Sequence, residues 1–256
     1  MIGVYFSGTG NTKYCINKFL EYYNENKENE LYSIEDSSCI DKIKENNNIV
    51  LAYPIYYSDI PIIVRNFINN NKEIFRDKNI FIIATMGLFS GDGTGCSARL
   101  LKKYGANITG GLHLKMPDCI GDVKTLKKTI EENKELVKNA NLKIQKAVSN
   151  IKKGEYSKEG LSSISHLAGL FGQRLYFYRK TYKLKDKLKI NYSKCISCGK
   201  CVSLCPMKNI IIKDNNPVTL GKCTSCYRCI NNCPKKAITL LGNGVIEQCR
   251  IDKYID

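Results

Sequence analysis

The stretch Ile2-Gly3-Val4-Tyr5-Phe6-Ser7-Gly8-Thr9-Gly10-Asn11-Thr12 decides the fold. Residues 2–6 read as a buried first strand. They run into a loop of hydroxyls and glycines. Tyr14, Cys15, Lys18, Phe19 and Tyr22 then recur at helical spacing, so a helix follows. A strand feeding such a loop and a helix N-terminus makes an anion site, because the first N–H groups of a helix lack partners and its dipole favours negative charge. Ser7, Thr9 and Thr12 offer hydroxyl donors, and Gly8 and Gly10 let backbone N–H groups close on a phosphate. Two rival motifs are excluded. No Gly-Lys-Ser/Thr occurs, so there is no P-loop. Lys13 stands where G-x-G-x-x-G needs its third glycine. A tight turn without a ligand is the plainer alternative.

Two further apolar strands open into loops. Asn48-Ile-Val-Leu-Ala-Tyr53 leads into Pro54-Ile55-Tyr56-Tyr57-Ser58-Asp59-Ile60-Pro61 and a short amphipathic helix through Phe67. Ile80-Phe-Ile-Ile-Ala-Thr85 leads into Met86-Gly87-Leu88-Phe89-Ser90-Gly91-Asp92-Gly93. The Ser7–Thr12 loop resembles the S/T-x-T-G-N-T loop with which flavodoxins hold the FMN phosphate. The pattern P-x-Y-x4-P-x5-F-I, read as Pro54, Tyr56, Pro61, Phe67 and Ile68, resembles the flavin loop of flavodoxin-like FMN reductases. The resemblance implies FMN held by Ser7, Gly8, Thr9, Gly10, Asn11 and Thr12, with Pro54, Ile55, Tyr56, Tyr57, Thr85, Met86, Gly87, Phe89 and Gly91 around the ring. Tyr56, Tyr57 or Phe89 could stack on it, or pack elsewhere as core or loop tip. Flavodoxins often flank the flavin with tryptophan, and this chain has none.

The remaining pattern fits a doubly wound sheet. Glu30–Glu35 is a candidate second strand, Thr94–Tyr104 a helix closed by Gly105, and Ile108–Met116 a fifth strand. Asp122 is expected to cap a long final helix with Val123, Leu126, Ile130, Val137, Ile144 and Ile151 on one face. Alternating strands and helices imply α/β architecture, a parallel sheet covered on both sides. The flavodoxin-like order is 2-1-3-4-5, with ligand loops at the carboxyl ends of the strands.

The second informative stretch is a repeat. Cys195-Ile-Ser-Cys198-Gly-Lys-Cys201-Val-Ser-Leu-Cys205-Pro206 recurs 28 residues later as Cys223-Thr-Ser-Cys226-Tyr-Arg-Cys229-Ile-Asn-Asn-Cys233-Pro234. Each copy is C-x2-C-x2-C-x3-C-P. Paired structural zinc sites are the alternative, but zinc normally takes well-separated pairs of cysteines, not triplets in series. The repeat resembles that of bacterial ferredoxins with two [4Fe–4S] clusters, in which the fourth cysteine ligates the other cluster. By that resemblance one cluster takes Cys195, Cys198, Cys201 and Cys233, and the other Cys223, Cys226, Cys229 and Cys205. Ile190, Ile196, Ile210, Ile211, Val218, Ile230 and Ile238 can wrap both in apolar side chains.

The chain then divides into a flavodoxin-like FMN-binding domain (1–151), a basic connecting helix or linker (152–187), a smaller α+β two-cluster ferredoxin domain (188–241) and a tail (242–256). In the linker Leu161, Ile164, Leu167, Phe171, Leu175 and Tyr178 recur at helical spacing, with Arg174, Arg179, Lys180, Lys183, Lys185 and Lys187 among and after them. A helix packed on one domain with a solvated basic end is one reading, and a helix docking the cluster domain over the flavin is the other. The architecture resembles the EFR1-type proteins, ferredoxins with an N-terminal flavodoxin-like domain.

Thirteen cysteines with no signal peptide point to metal ligation in a reducing compartment, hence to a cytoplasmic protein. Five of them, Cys15, Cys39, Cys96, Cys119 and Cys249, lie outside the repeat. No apolar run is long enough for a transmembrane helix, so no integral membrane segment is expected. The formal net charge is +16, and residues 152–241 hold 18 Lys/Arg against 4 Asp/Glu. Lys194, Lys200, Lys208, Lys222, Arg228, Lys235 and Lys236 lie in or beside the cluster loops, which suits an acidic redox partner protein. No nucleic-acid fold signature is present, so no nucleic acid is expected. His113 and His166 are the only histidines and adjoin no nucleophile motif. Three functions fit: an electron-transfer flavo-iron–sulfur protein, a ferredoxin-fed FMN reductase with a small-molecule substrate, and a redox-sensing or binding module that has lost FMN.

Overall fold

The computed structural model describes residues 1–25, 28–88, 91–177 and 179–255, without the side chain of Gln173. Phe89 and Tyr178 lie outside the described residues. Strand β1 (Ile2–Tyr5) leads to helix α1 (Asn11–Asn24), then β2 (Leu31–Ser33), α2 (Cys39–Glu45), β3 (Asn48–Pro54), α3 (Ile62–Asn70), β4 (Asn79–Met86), α4 (Gly93–Lys103), β5 (Asn107–Lys115) and α5 (Ile130–Lys152). The five strands form one parallel sheet in the order β2-β1-β3-β4-β5, the flavodoxin-like doubly wound order. Val4 pairs with Leu51, Leu51 with Ile82 and Ile82 with Gly111.

Period-2 alternation sorts the strand side chains onto two faces. Ile49, Leu51 and Tyr53 join Ile80 and Ile82 under Ile43 of α2, Val64 and Ile68 of α3 and Leu101 of α4. Val50, Ala52, Phe81 and Ile83 face Ile16, Phe19 and Leu20 of α1 and Val137, Ile144 and Val148 of α5. The central strands are apolar on both faces because both are covered.

The final helix starts later than its sequence suggests. Asp122 does not cap it, and Val123 and Leu126 lie outside it. The cap is Thr129, which accepts from the Glu132 N–H while the Glu132 carboxylate accepts from the Thr129 N–H. This reciprocal pair satisfies two orphan donors, and a lone aspartate seven residues upstream cannot compete. Asp122 is instead buried beneath the cysteine-rich half. Its carboxylate accepts from the Tyr227 hydroxyl at 3.0 Å and from the N–H groups of Leu240, Leu241 and Gly242 at 2.7, 2.9 and 3.1 Å.

After α5 the chain runs beside β5, where Gly111 bridges Lys158 and covers the sheet edge. Helix α6 (Ser163–Gly169) continues as a π-helical turn over Leu170–Arg174, and α7 (Lys180–Leu184) follows. The linker periodicity is thus divided into short pieces. The cysteine-rich half comprises β6 (Lys189–Ile190), α8 (Lys200–Leu204), the hairpin β7 (Ile210–Lys213) and β8 (Asn216–Thr219), α9 (Arg228–Asn232) and β9 (Ile238–Thr239). Leu184, Leu188, Ile210, Ile230, Ile238 and Leu240 form its own core.

The stretch after residue 241 packs back onto the sheet half. The Ile246 N–H donates to Gly121 O, the Ile251 N–H to Thr9 O, and Tyr254 is buried in the core beside α1 and α5. No described helix is long and apolar enough to cross a membrane.

Candidate functional site

The loop between β1 and α1 sits where the sequence places an anion. The Ser7 hydroxyl accepts from the Gly10 N–H at 3.2 Å. Gly10 is left-handed, with φ 98°, which turns the chain into α1. Asn11 donates from Nδ2 to Pro117 O at 2.7 Å, and the Thr12 and Thr85 hydroxyls are 2.8 Å apart. The first turn of α1 holds no acidic residue, so the positive end of its dipole is uncompensated.

A cavity of about 320 Å³ opens from this loop. It is lined by Ser7, Gly8, Thr9, Asn11 and Thr12, by Pro54, Ile55, Tyr56 and Tyr57, and by Thr85, Met86 and Gly87. These loops follow the carboxyl ends of β1, β3 and β4, so one end of the sheet gathers them. Tyr56 and Asp59 exchange both backbone hydrogen bonds at 3.0 Å around a turn in which Tyr57 and Ser58 have φ of 50° and 60°. Positive φ at two non-glycine residues is strained, and Arg65 braces the turn by gripping Asp59 with contacts of 2.7 and 2.8 Å. Tyr57 lies in the cavity wall, against Phe177 with ring centroids 5.7 Å apart.

Two polar atoms in this wall fit a missing group. The hydroxyls of Tyr57 and Ser225 are buried and have no partner among the described residues. Buried hydroxyls rarely stay unpaired. Hydroxyl donors at a helix start, an apolar slot bounded by Met86, Met116 and tyrosines, and two unpaired hydroxyls form a donor set that FMN would satisfy. The volume falls at the low end of the roughly 300–1,000 Å³ usual for ligand sites.

The cysteines fall into two quartets. One small cavity is lined by Cys195, Cys198, Cys201 and Cys233, another by Cys205, Cys223, Cys226 and Cys229. Each quartet takes three residues from one copy of the repeat and one from the other. The backbone repeats along with the sequence. Ser197 and Ser225 have φ 50° and 60°, Gly199 and Tyr227 71° and 57°, and Lys208 and Lys236 48° and 49°. Matching N–H groups donate to sulfur: Ser197 to Cys195 and Ser225 to Cys223, both at 3.4 Å, and Asn209 to Cys205 and Ala237 to Cys233, at 3.2 and 3.3 Å. Such bonds stabilise thiolate sulfur and tune a bound cluster. Exposure differs between the quartets. Cys198 is exposed, whereas Cys226 and Cys229 are buried, and burial pushes the Cys226 thiol up to about 12.

The inner quartet adjoins the large cavity. Tyr227 lines both, and Ser225 reaches the large one from the same loop. At Gly8 the approach is so close that a Cβ would strike the Cys226 carbonyl oxygen, so only glycine fits. Arg228 locks the contact. It pairs with Glu35 at 2.6 Å, donates to Ser7 O at 2.7 Å and lies over the Phe6 ring at 5.7 Å. Asn231 adds a bond from Nδ2 to Cys119 O at 2.8 Å.

Two of the sequence-predicted residues do not line the cavity. Gly10 turns the loop behind it, under Ile251, and Gly91 packs against Gly169 of α6. Phe89 lies outside the described residues. Sequence reasoning missed Met116, Pro117, Asp118, Cys119 and Ile120, which follow β5. The rule that ligand loops leave strand carboxyl ends would have found them. It also missed Phe177, Tyr227 and Leu241, for which no local pattern exists. Burial raises the carboxyl of Asp118 above its ordinary range, against the pull of the Ile120 N–H on Oδ1 at 2.7 Å.

A flavodoxin-domain family model matches residues 2–108, and a 4Fe-4S dicluster-domain model matches residues 187–240. The chain therefore joins a flavodoxin domain to a 4Fe-4S dicluster domain. No curated protein matches it. Similar solved structures include the two-electron reduced flavodoxin of Megasphaera elsdenii, 22% identical, covering 56% of this chain and 99% of that one with a TM-score of 0.41. The Fusobacterium nucleatum flavodoxin bound to flavin mononucleotide is 15% identical, covers 60% and 98%, and has a TM-score of 0.42. Rubredoxin oxygen:oxidoreductase from Desulfovibrio gigas is 16% identical, covers 58% and 35%, and has a TM-score of 0.38.

Proposed function

We propose that this chain is an intracellular electron-transfer protein that couples FMN in the large cavity, through two [4Fe–4S] clusters, to an outside redox partner. The observation that carries this reading is Tyr227, a shared wall of the flavin-sized cavity and the inner cysteine quartet. FMN exchanges one or two electrons and each cluster one, so together they link the two kinds of couple.

The residues have distinct tasks. Ser7, Thr9 and Thr12 bind the phosphate with the N-terminus of α1. Tyr57 and Ser225 offer hydroxyls to the flavin's polar edge. Phe177, Tyr227 and Leu241 keep water from the ring. Cys205, Cys223, Cys226 and Cys229 hold the inner cluster, and Cys195, Cys198, Cys201 and Cys233 the outer one, with Cys198 at the surface. Zinc fits less well. Zn–S bonds of about 2.3 Å would draw four thiolates within about 4 Å of one another. Among the described residues no three His, Cys, Asp or Glu groups converge on a single-ion site. The two-domain order is that of the EFR1-type proteins.

A second reading, reduction of a small substrate at the flavin, is favoured by Asp118. Its burial beside the cavity keeps it protonated to higher pH, so it can supply a proton.

Anaerobic purification with iron, sulfide and flavin quantified, then a redox titration, tests the proposal. The expected content is about eight irons, about eight sulfides and one FMN per chain. Zinc without sulfide would overturn the cluster assignment, and a preparation without flavin would overturn the FMN assignment. Saturable, substrate-dependent reoxidation of the reduced protein would favour the reductase.

A further inference from the structure

The linker segment over Ser163–Arg174 is amphipathic in the inverted sense. Its polar face points inward, to the fully buried carboxylate of Asp92. His166 Nδ1 lies 3.0 Å from that carboxylate, and Arg174 pairs with its other oxygen. Gly169 packs so tightly there that a Cβ would meet Asp92. With the polar face committed, the apolar face is left outside. Ile164, Phe171 and Tyr176 are 80%, 67% and 84% exposed, and Leu167 and Leu175 join them. Ile164, Leu167, Phe171 and Leu175 follow one another at steps of three and four residues through α6, its π-helical turn and the residue after it, and all four are exposed. A continuous exposed apolar patch marks an interaction surface. Lys183, Lys185, Lys187 and Lys189, all exposed, follow directly.

We propose that this face seats the protein peripherally on an anionic lipid surface, the apolar residues entering the acyl boundary and the lysines meeting the headgroups. Three observations favour lipid over a protein partner. The exposed apolar residues of this face line none of the described cavities, so the face offers no groove for a peptide or side chain to enter. Its flank is lysine-rich, and lysine is depleted in protein interfaces but typical beside anionic bilayers. Tyr176 and Tyr182, both exposed, are amphipathic aromatics of the kind that settle at headgroup depth. No described helix can cross a membrane, so the attachment is to one leaflet.

The test is flotation of the full-length holoprotein with vesicles of phosphatidylcholine alone or mixed with phosphatidylglycerol, across a salt series. Binding is expected only to the mixed vesicles, weakening with salt. Replacing Lys183, Lys185 and Lys187 with Glu should lower affinity by roughly a hundredfold. Leu167→Asp with Phe171→Asp should abolish flotation while flavin and cluster absorbance stay unchanged. Equal behaviour on both vesicle types, or full binding by both variants, would overturn the proposal. So would sedimentation showing a dimer that the aspartates dissolve in a protein that never floats, because the face would then belong to a second copy.

Discussion

Tyr227 occupies a left-handed backbone position that Gly199 takes in the first copy of the repeat. A tyrosine there costs about 1–2 kcal/mol more than glycine. Its ring closes the large cavity and its hydroxyl reaches buried Asp122. Tyr227→Phe should keep the wall and lose one charge-assisted hydrogen bond, lowering stability by about 1.5–3 kcal/mol in denaturant unfolding. An unchanged midpoint would remove that bond from the account. Asp122→Ala strands three more donors and should do greater harm. His113 is a separate case. Burial holds its imidazole below the ordinary value of 6.5, with the ring near the Thr94 N–H at 3.2 Å. The unfolded chain then binds the proton more readily, so stability is complete above 6.5 and falls as pH drops through the lowered folded value. Melting temperature should decline on acidification, and His113→Gln should flatten that decline relative to the parent. The hydroxyls and cysteines that line the candidate cavities, with Gly8 and Gly87 but not Gly10 or Gly91, were legible because their chemistry is local. Asp122 was misread as a helix cap because its true partners lie more than a hundred residues further along the chain.

At the scale of elements, periodicity located the five strands to within about two residues and described both faces of the sheet. It failed for the linker, where helical spacing was real but the apolar side faces outward. Spacing reports amphipathicity and not which side is buried; Asp92 decides that by holding the polar side inward. The start of α5 depends on a capping box, and Thr129→Ala should cost about 1 kcal/mol in a thermal or denaturant melt, with flavin content unchanged. The loop before α1 depends on its hydroxyls. Thr9→Ala combined with Thr12→Ala removes two of the proposed phosphate donors, each worth about 1.5–3 kcal/mol, so FMN affinity should fall at least about tenfold in a fluorescence titration. An undiminished affinity would place the phosphate elsewhere.

Across the whole molecule, the basic residues near the cysteine quartets divide by role. Arg228 is turned inward to Glu35 and Ser7, so it serves the contact between halves and not a partner. Lys194, Lys200, Lys208, Lys222, Lys235 and Lys236 are exposed. With clusters loaded, residues 152–241 retain about +10, enough to steer an acidic electron carrier. Electron transfer to such a carrier should slow as salt shortens the Debye length from about 30 Å to about 8 Å. Lys200→Glu with Lys235→Glu should flatten that dependence, and a rate indifferent to both salt and charge reversal would leave the lysines without a docking role. The contact between halves could not be read from sequence, since Gly8 meets the Cys226 carbonyl, and Tyr227 and Leu241 close the cavity, only when both halves have folded.

The bond from the Ile251 N–H to Thr9 O has a consequence for biogenesis. The loop before α1 leaves the ribosome well ahead of the segment that braces it, which emerges only after both copies of the cysteine repeat. A flavin taken up by the loop would be held more firmly once that segment has emerged. A nascent chain halted before residue 242 exposes an open cradle, whereas one extended past 254 carries the brace. Flavin captured during synthesis should exchange rapidly with added riboflavin phosphate in the halted chain and slowly in the extended one.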